Sequence, residues 1–265
     1  MQDVLLERKQ IKNIDFNCDL AQEFGVYKSN KELPLLDYVS SVAISCGFHA
    51  GDPISIKKAL LEAKDRGLAI GAHIGFPDIQ GFGYRDLQLS DEEVETLVIY
   101  QVGALMSFAK AFSLDIEFVR PHGAMYKKMG EDFQFSCAVA NAVKKCSNWL
   151  TLYSPLGDVA EKTSEYVNIK VAQELMLEKT YNTDLTIDYS IPDNVDNYNS
   201  IKRLQHLLHT SQLRTINQGM ASVNVSTIHF NNKYQSSLGL LKQANDLIKP
   251  LPLNYISAKV SGWAE

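Results

Sequence analysis

Short runs of apolar and β-branched residues alternate along this chain with longer runs whose apolar positions recur every three to four residues. The short runs predict strands at 14–20, 42–48, 69–73, 116–122, 150–154, 168–174 and 222–229. Several are apolar on consecutive positions, the pattern of a parallel strand covered on both faces. The longer runs predict helices. After Asp52 at an N-cap and Pro53 at the first helical position, Ile56, Ala59, Leu60 and Ala63 fall on one face, and Gly67 suits the C-terminal stop. Ser90 and Glu93 form a capping box ahead of a long helix buried through Val94, Leu97, Val98, Leu105, Phe108 and Phe112. Further helices are expected at 132–146, 156–163, 199–210 and 236–248.

Seven strand–helix alternations without a break in composition predict one α/β domain over 1–265, either a (β/α) barrel or an open doubly wound sheet. Residues 1–13 read as an N-terminal extension and 249–265 as a C-terminal tail. Residues 182–199, rich in Asn and Asp, read as a long loop of the kind that carries function.

Composition narrows the classes. A net charge of -5 over 265 residues argues against a phosphate-driven nucleic-acid binder. No apolar run is long enough to span a membrane, and the first residues lack the apolar core of a secretory signal, so a soluble cytoplasmic chain is expected. The cysteines (18, 46, 137 and 146) make no C-x-x-C pair; Cys18 and Cys46 read as small core residues. There is no Walker A sequence, no dinucleotide fingerprint and no G-x-S-x-G elbow.

Chemistry gathers at the strand ends. The first strand carries Asn17 and Asp19, the second runs into His49 and Asp52, the third ends at His73 and the fourth at His122. The sixth carries Glu174 and the seventh ends at His229. In parallel α/β folds the C-terminal strand ends share one rim, where sites are built. Asp19, His49, His73, His122 and Glu174 are therefore expected to converge. An acid emerging from an apolar strand is costly unless paired, which singles out Asp19. Asn17 can position a substrate or satisfy backbone groups. Asp52 can cap a helix and also touch substrate. Arg85 can bind an anion or pair with Asp86.

Five segments carry a resemblance: NCDLAQEFG (17–25), SCGFHAGDP (45–53), IGAHIGFPDIQGFGYR (70–85), YQVGALMSFA (100–109) and RPHGAMY (120–126). Together they resemble the LamB/YcsF family, that of the prokaryotic 5-oxoprolinase A subunits, collinearly from about 14 to 126 and more weakly to about 245. The resemblance implies an irregular seven-stranded (β/α) barrel similar to the glycoside hydrolase/deacetylase superfamily. It implies hydrolytic opening of 5-oxoproline (pyroglutamate) to glutamate, with ATP as co-substrate and partner subunits B and C. Within that reading Asp19 is the candidate base. His49 and His122 are candidates for acid–base or phosphate-contacting roles, with His73 supporting them, and Glu174 belongs to the same set. Asn17, Asp52, Arg85 and His229 are candidate substrate contacts. Where the family pattern has an acid the chain has Gln22, for Asp and Arg it has Glu178 and Lys179, for the Arg of a V-P-R loop Ser190, and for Gly and Asp Phe230 and Asn231, so a changed substrate is one expectation. The alternatives are a metal-dependent deacetylase or amidohydrolase and a non-catalytic binding subunit; metal dependence and homo-oligomerisation are left open.

Overall fold

The computed structural model describes residues 14–27 and 33–250. The expected extension at 1–13 and the tail from 251 onward lie outside the described residues. Seven parallel strands close into a barrel. Six come first: β1 (Asp15–Leu20), β2 (Ser41–Ser45), β3 (Ala69–Ile74), β4 (Phe118–Pro121), β5 (Thr151–Pro155) and β6 (Val171–Met176). Two short strands outside the barrel, β7 (Gln212–Arg214) and β8 (Met220–Ser222), precede the seventh stave, β9 (Thr227–His229). β9 closes the barrel, pairing with β6 through Met176–His229 and with β1 through Asn17–His229. The barrel alternative therefore holds over the open sheet.

The helices are α1 (Pro53–Arg66), α2 (Asp91–Ala111), α3 (Gly123–Glu131), α4 (Phe133–Cys146), α5 (Asp158–Val167), α6 (Asn197–Thr210) and α7 (Ser237–Leu247). The expected N-cap at Asp52 and the expected capping box at Ser90 and Glu93 both form. Asp52 accepts from the Ile54 and Ser55 amides at 2.9 Å, and Ser90 and Glu93 bond reciprocally. The helix expected at 132–146 forms as α4, and a separate helix that was not expected, α3, precedes it, with Asp132 ending one and capping the other. One expectation is corrected. The strand expected at 222–229 shrinks to β9, because β8 turns away to form an antiparallel hairpin with β7. Among the described residues no helix is long and apolar enough to cross a membrane.

Side chains alternate across each strand, and β1 shows what the alternation does. Phe16, Cys18 and Leu20 face outward into the core shared by strands and helices, joined by Ile44, Ile74, Val119, Leu175 and Ile228. Asp15, Asn17 and Asp19 lie on the opposite parity. Among the described residues the lumen holds a small apolar cluster, Ala43, Phe118, Tyr153 and Ala172, with Phe118 and Tyr153 stacked at 4.2 Å. Below it Asp15 accepts from Ser40, Ser41, Tyr153 and Thr227 at 2.6–2.9 Å. This barrel is polar inside and apolar outside, and its polar layers lead up to the C-terminal mouth.

Candidate functional site

The mouth opens on a cavity of about 780 Å³ walled by Asp19, Gln22, Phe82, Tyr84, Arg120, His122, Tyr126, Tyr189 and His229, with Lys127, Lys179 and Lys233 toward the rim. The strand ends supply the floor. Arg120, on the inward parity of β4, grips Glu174 with a fork: Nε donates to Oε1 and Nη2 to Oε2, both at 2.8 Å. Its Nη1 donates to Asp19 Oδ1 at 2.9 Å. Asn17 Nδ2 donates to Glu174 Oε1 at 2.9 Å and to Thr227 Oγ1 at 2.7 Å, tying the charged layer to the one below. Asn17 Oδ1 accepts from His229 Nδ1 at 2.8 Å, which leaves His229 Nε2 facing Asp19 Oδ2 at 3.6 Å. Gln22, a departure from the family pattern, donates to Asp19 Oδ2 at 2.9 Å.

Burial sets the charge states. Desolvation would raise the Asp19 carboxyl, but Arg120, His73 and His229 outweigh it and hold it well below the usual range. Glu174 is likewise lowered, its desolvation outweighed by Arg120. Burial pushes His229 down to about 4, and His122, with the neighbouring His73 adding to the effect, to about 3. His49 is also pushed well down by burial and by its neighbour His122. The site thus favours ionised Asp19 and Glu174 beside the neutral forms of His49, His122 and His229.

His49, His73 and His122 pack as one cluster. His49 and His122 stack at 4.1 Å, and His73 stands edge-on to both at 4.9 and 4.8 Å. Two backbone turns bring them together. At Gly51 the chain turns with φ +92, and a Cβ there would come within 2.7 Å of the Ser45 carbonyl, so only glycine takes His49 from β2 into α1. At Gly83, with φ +73, the loop after β3 lies against both His49 and His122, and His122 Nε2 donates to the Phe82 carbonyl at 2.7 Å.

Asp19, His73, His122, Glu174, Asn17 and His229 therefore meet as the strand ends required, with His49 packed behind His122. Two candidates stand apart from the cavity wall. The Asp52 carboxylate caps α1, as expected of it, accepting from the α1 amides and from the Gly25 amide at 2.9 Å. Arg85 pairs with Asp78 rather than Asp86, at 2.5 Å, and its largely exposed side chain does not line the cavity. The sequence reading missed Arg120, although an arginine inside the apolar run FVRP is as costly unpaired as Asp19. It also missed the basic rim. Lys179 pairs with Asp193 at 2.7 Å and Lys233 with the same carboxylate at 3.4 Å, while Tyr189 lies between Lys127 and Lys179 at 5.3 and 5.4 Å from its ring centre.

The model of the LamB/YcsF family matches residues 14–254. The 5-oxoprolinase A subunit of Bacillus subtilis is 42% identical over 174 residues, 66% of this chain and 68% of that protein. That of Geobacillus thermodenitrificans is 34% identical over 236 residues, 88% of this chain and 92% of that protein. Among solved structures, a lactam utilization protein from Thermus thermophilus superposes with a TM-score of 0.84 at 30% identity, covering 90% of this chain and 99% of that one.

Proposed function

The chain belongs to the LamB/YcsF family, and we propose on that premise that it is the A subunit of a 5-oxoprolinase, a hydrolase that opens the lactam ring of 5-oxoproline to give glutamate. One observation carries the reading: the fully buried strand-end layer of Asp19, Arg120 and Glu174 opens onto a cavity of about 780 Å³ with lysines at its rim. An amide is hydrolysed in such a place, and the substrate carboxylate has cations to meet. The relatives that bear the 5-oxoprolinase name support the substrate.

Hydrolysis adds water across the lactam. The water oxygen bonds to the carbonyl carbon, the C–N bond breaks, and the ring nitrogen takes a proton. Asp19, held ionised, accepts a hydrogen bond from the attacking water and orients it. A carboxylate with so low a pKa is a weak base, so its part is positioning and electrostatic rather than full proton removal. Arg120 keeps that carboxylate in place and contributes positive charge beside the developing oxyanion. Lys179 and Lys233 receive the substrate carboxylate at the rim. In this reading the driving energy comes from ATP through an assembly with B and C subunits, in the cytoplasm.

The test is ATP-dependent glutamate release from 5-oxoproline by the assembled subunits, with and without this chain. Release is expected to need the chain and to fall by ~100-fold or more for Asp19→Asn, the scale of losing a group that acts on the transition state. Release by Asp19→Asn within a few-fold of wild type would sink the role of Asp19. No release from a folded, associated assembly would sink the substrate.

A further inference from the structure

We propose that His49, His73 and His122 form a binding site for one divalent transition-metal ion of the zinc class, with Asp19 beside it. The inference stands on the cluster itself and not on the lactam reading.

One donor nitrogen from each of the three rings lies within 4.8 Å of the others. Zinc–imidazole bonds are ~2.0–2.1 Å, so small ring rotations bring three donors onto one ion. The hydrogen bonds of the rings select the nitrogens. His73 Nδ1 donates to the Arg120 carbonyl at 3.1 Å, which turns the Nε2 lone pair toward the mouth. His122 Nε2 donates to the Phe82 carbonyl, which leaves its Nδ1 lone pair unused. A backbone carbonyl on the remote nitrogen is the arrangement that orients metal-ligating histidines. His49 Nε2 meets Ser45 Oγ at 3.2 Å, while its buried Nδ1 has no hydrogen-bond partner. The ring is admitted beside β3 because residue 75 is glycine; a Cβ there would stand 2.6 Å from that nitrogen.

Charge points the same way. His73 Nε2 and Asp19 Oδ1 face each other at 3.2 Å, two acceptors with no proton between them when the ring is neutral. Arg120 Nη1 approaches both, at 3.5 and 2.9 Å. Its single positive charge is set against two buried carboxylates, Asp19 and Glu174. One negative charge is left over in a layer with almost no access to water. A dication on the three imidazoles would answer it. Bound there, the ion would supply a Lewis acid beside Asp19.

The measurement is metal content and affinity on the intact chain after chelation, using Zn²⁺ by calorimetry and elemental analysis and Co²⁺ by visible absorption. About one equivalent per chain is expected, with intense d–d bands from Co²⁺. Binding should be lost in His49→Ala and His122→Ala and kept in the His206→Ala/His209→Ala double variant, which removes two histidines remote from the cluster. Because a cluster variant can fail to fold, the wild type carries a second readout: its melting temperature should rise with Zn²⁺ and stay unchanged with Mg²⁺. A folded wild type that takes up no Zn²⁺ or Co²⁺ overturns the site. So does stoichiometric metal that persists in folded cluster variants and disappears with His206 and His209.

Discussion

Replacing Arg120 with methionine tests the central claim that one guanidinium holds two buried carboxylates together. The substitution keeps most of the apolar stem and removes three charge-assisted hydrogen bonds of 2.8, 2.8 and 2.9 Å. It leaves Asp19 and Glu174, both almost wholly inaccessible to water, without their main counter-charge. Breaking one partner out of a buried pair costs about 3–5 kcal/mol, because the other charge remains buried and unmatched. For a chain of this size that is roughly a 10 °C fall in melting temperature. The sign with pH follows. In the wild type both carboxyls are held below their unfolded values, so their contribution is intact at neutral pH and is lost only as pH falls into the acid range. In Arg120→Met desolvation is opposed only by the weaker neighbours, and the carboxyls rise above their unfolded values. The folded variant then binds protons more readily than its unfolded chain, so its deficit against wild type shrinks as pH is lowered from about 8 to about 5. Urea unfolding of wild type, Arg120→Met, Glu174→Gln and the double variant gives the coupling directly; about 2 kcal/mol is expected. A single-variant cost under ~1 kcal/mol, or a coupling under ~0.5 kcal/mol, would refute the ion network as a structural element.

Glu178 should show the opposite pH behaviour. Burial lifts its carboxyl from 4.5 to about 7, and Oε1 has no hydrogen-bond partner among the described residues. Its folded value above the unfolded one means a penalty that grows as pH rises through that window. Glu178→Gln should therefore stabilise by roughly 3 kcal/mol at alkaline pH and far less near pH 5, read by thermal melts across pH; equal gains at both ends would dismiss it. Lys233→Ala and Lys179→Ala should raise KM for 5-oxoproline several-fold with kcat little changed, since they meet a carboxylate away from the reacting amide; a pure kcat loss would remove the rim from substrate binding. Gly71→Ala would place a Cβ 2.2 Å from the Phe118 ring in the lumen and should cost about 1–3 kcal/mol in urea unfolding, whereas a neutral result would show that the lumen can repack.

The barrel was legible because strand and helix patterns alternate seven times, and strand parity carried much of the site. Asp19, His73 and Glu174 lie inward at the strand ends, and His122 follows the last residue of β4. Arg120 has the same parity and escaped notice because a lone arginine in FVRP resembles a strand-end surface charge until its partners, 54 and 101 residues away in sequence, are in view. The lower polar layer escaped for the same reason. Asp15 gathers hydroxyls from Ser40, Ser41, Tyr153 and Thr227, and no local pattern connects them. Helix α3 offers too short a periodic signal: Met125, Tyr126 and Met129 are its buried residues, and it follows His122 at once.

The departures from the family pattern take on physical meaning once they are placed in space. Gln22 supplies a donor to Asp19 Oδ2 where an acid would face it with a second negative charge, and so helps keep that carboxylate ionised. Lys179 places a cation at the rim where the pattern has arginine, and Lys233, near the altered Phe230 and Asn231, adds another against the shared Asp193. Phe230 is fully buried and packs edge-on to Phe16 at 5.0 Å, on the outer face of β1, so it replaces glycine in the core and not in the cavity. Asn231 does line the cavity, beside Lys233. The altered positions thus divide by location. Lys179 and Asn231 line the cavity, where the function proposed above places the substrate carboxylate, Phe230 lies in the core, and Gln22 reaches the strand-end layer through Asp19. On that division, and on the function proposed above, the differences from the family pattern that face a substrate lie at the cavity wall. Swapping Lys179 for arginine should then alter KM among cyclic amide acids and leave the fold and the charged layer untouched.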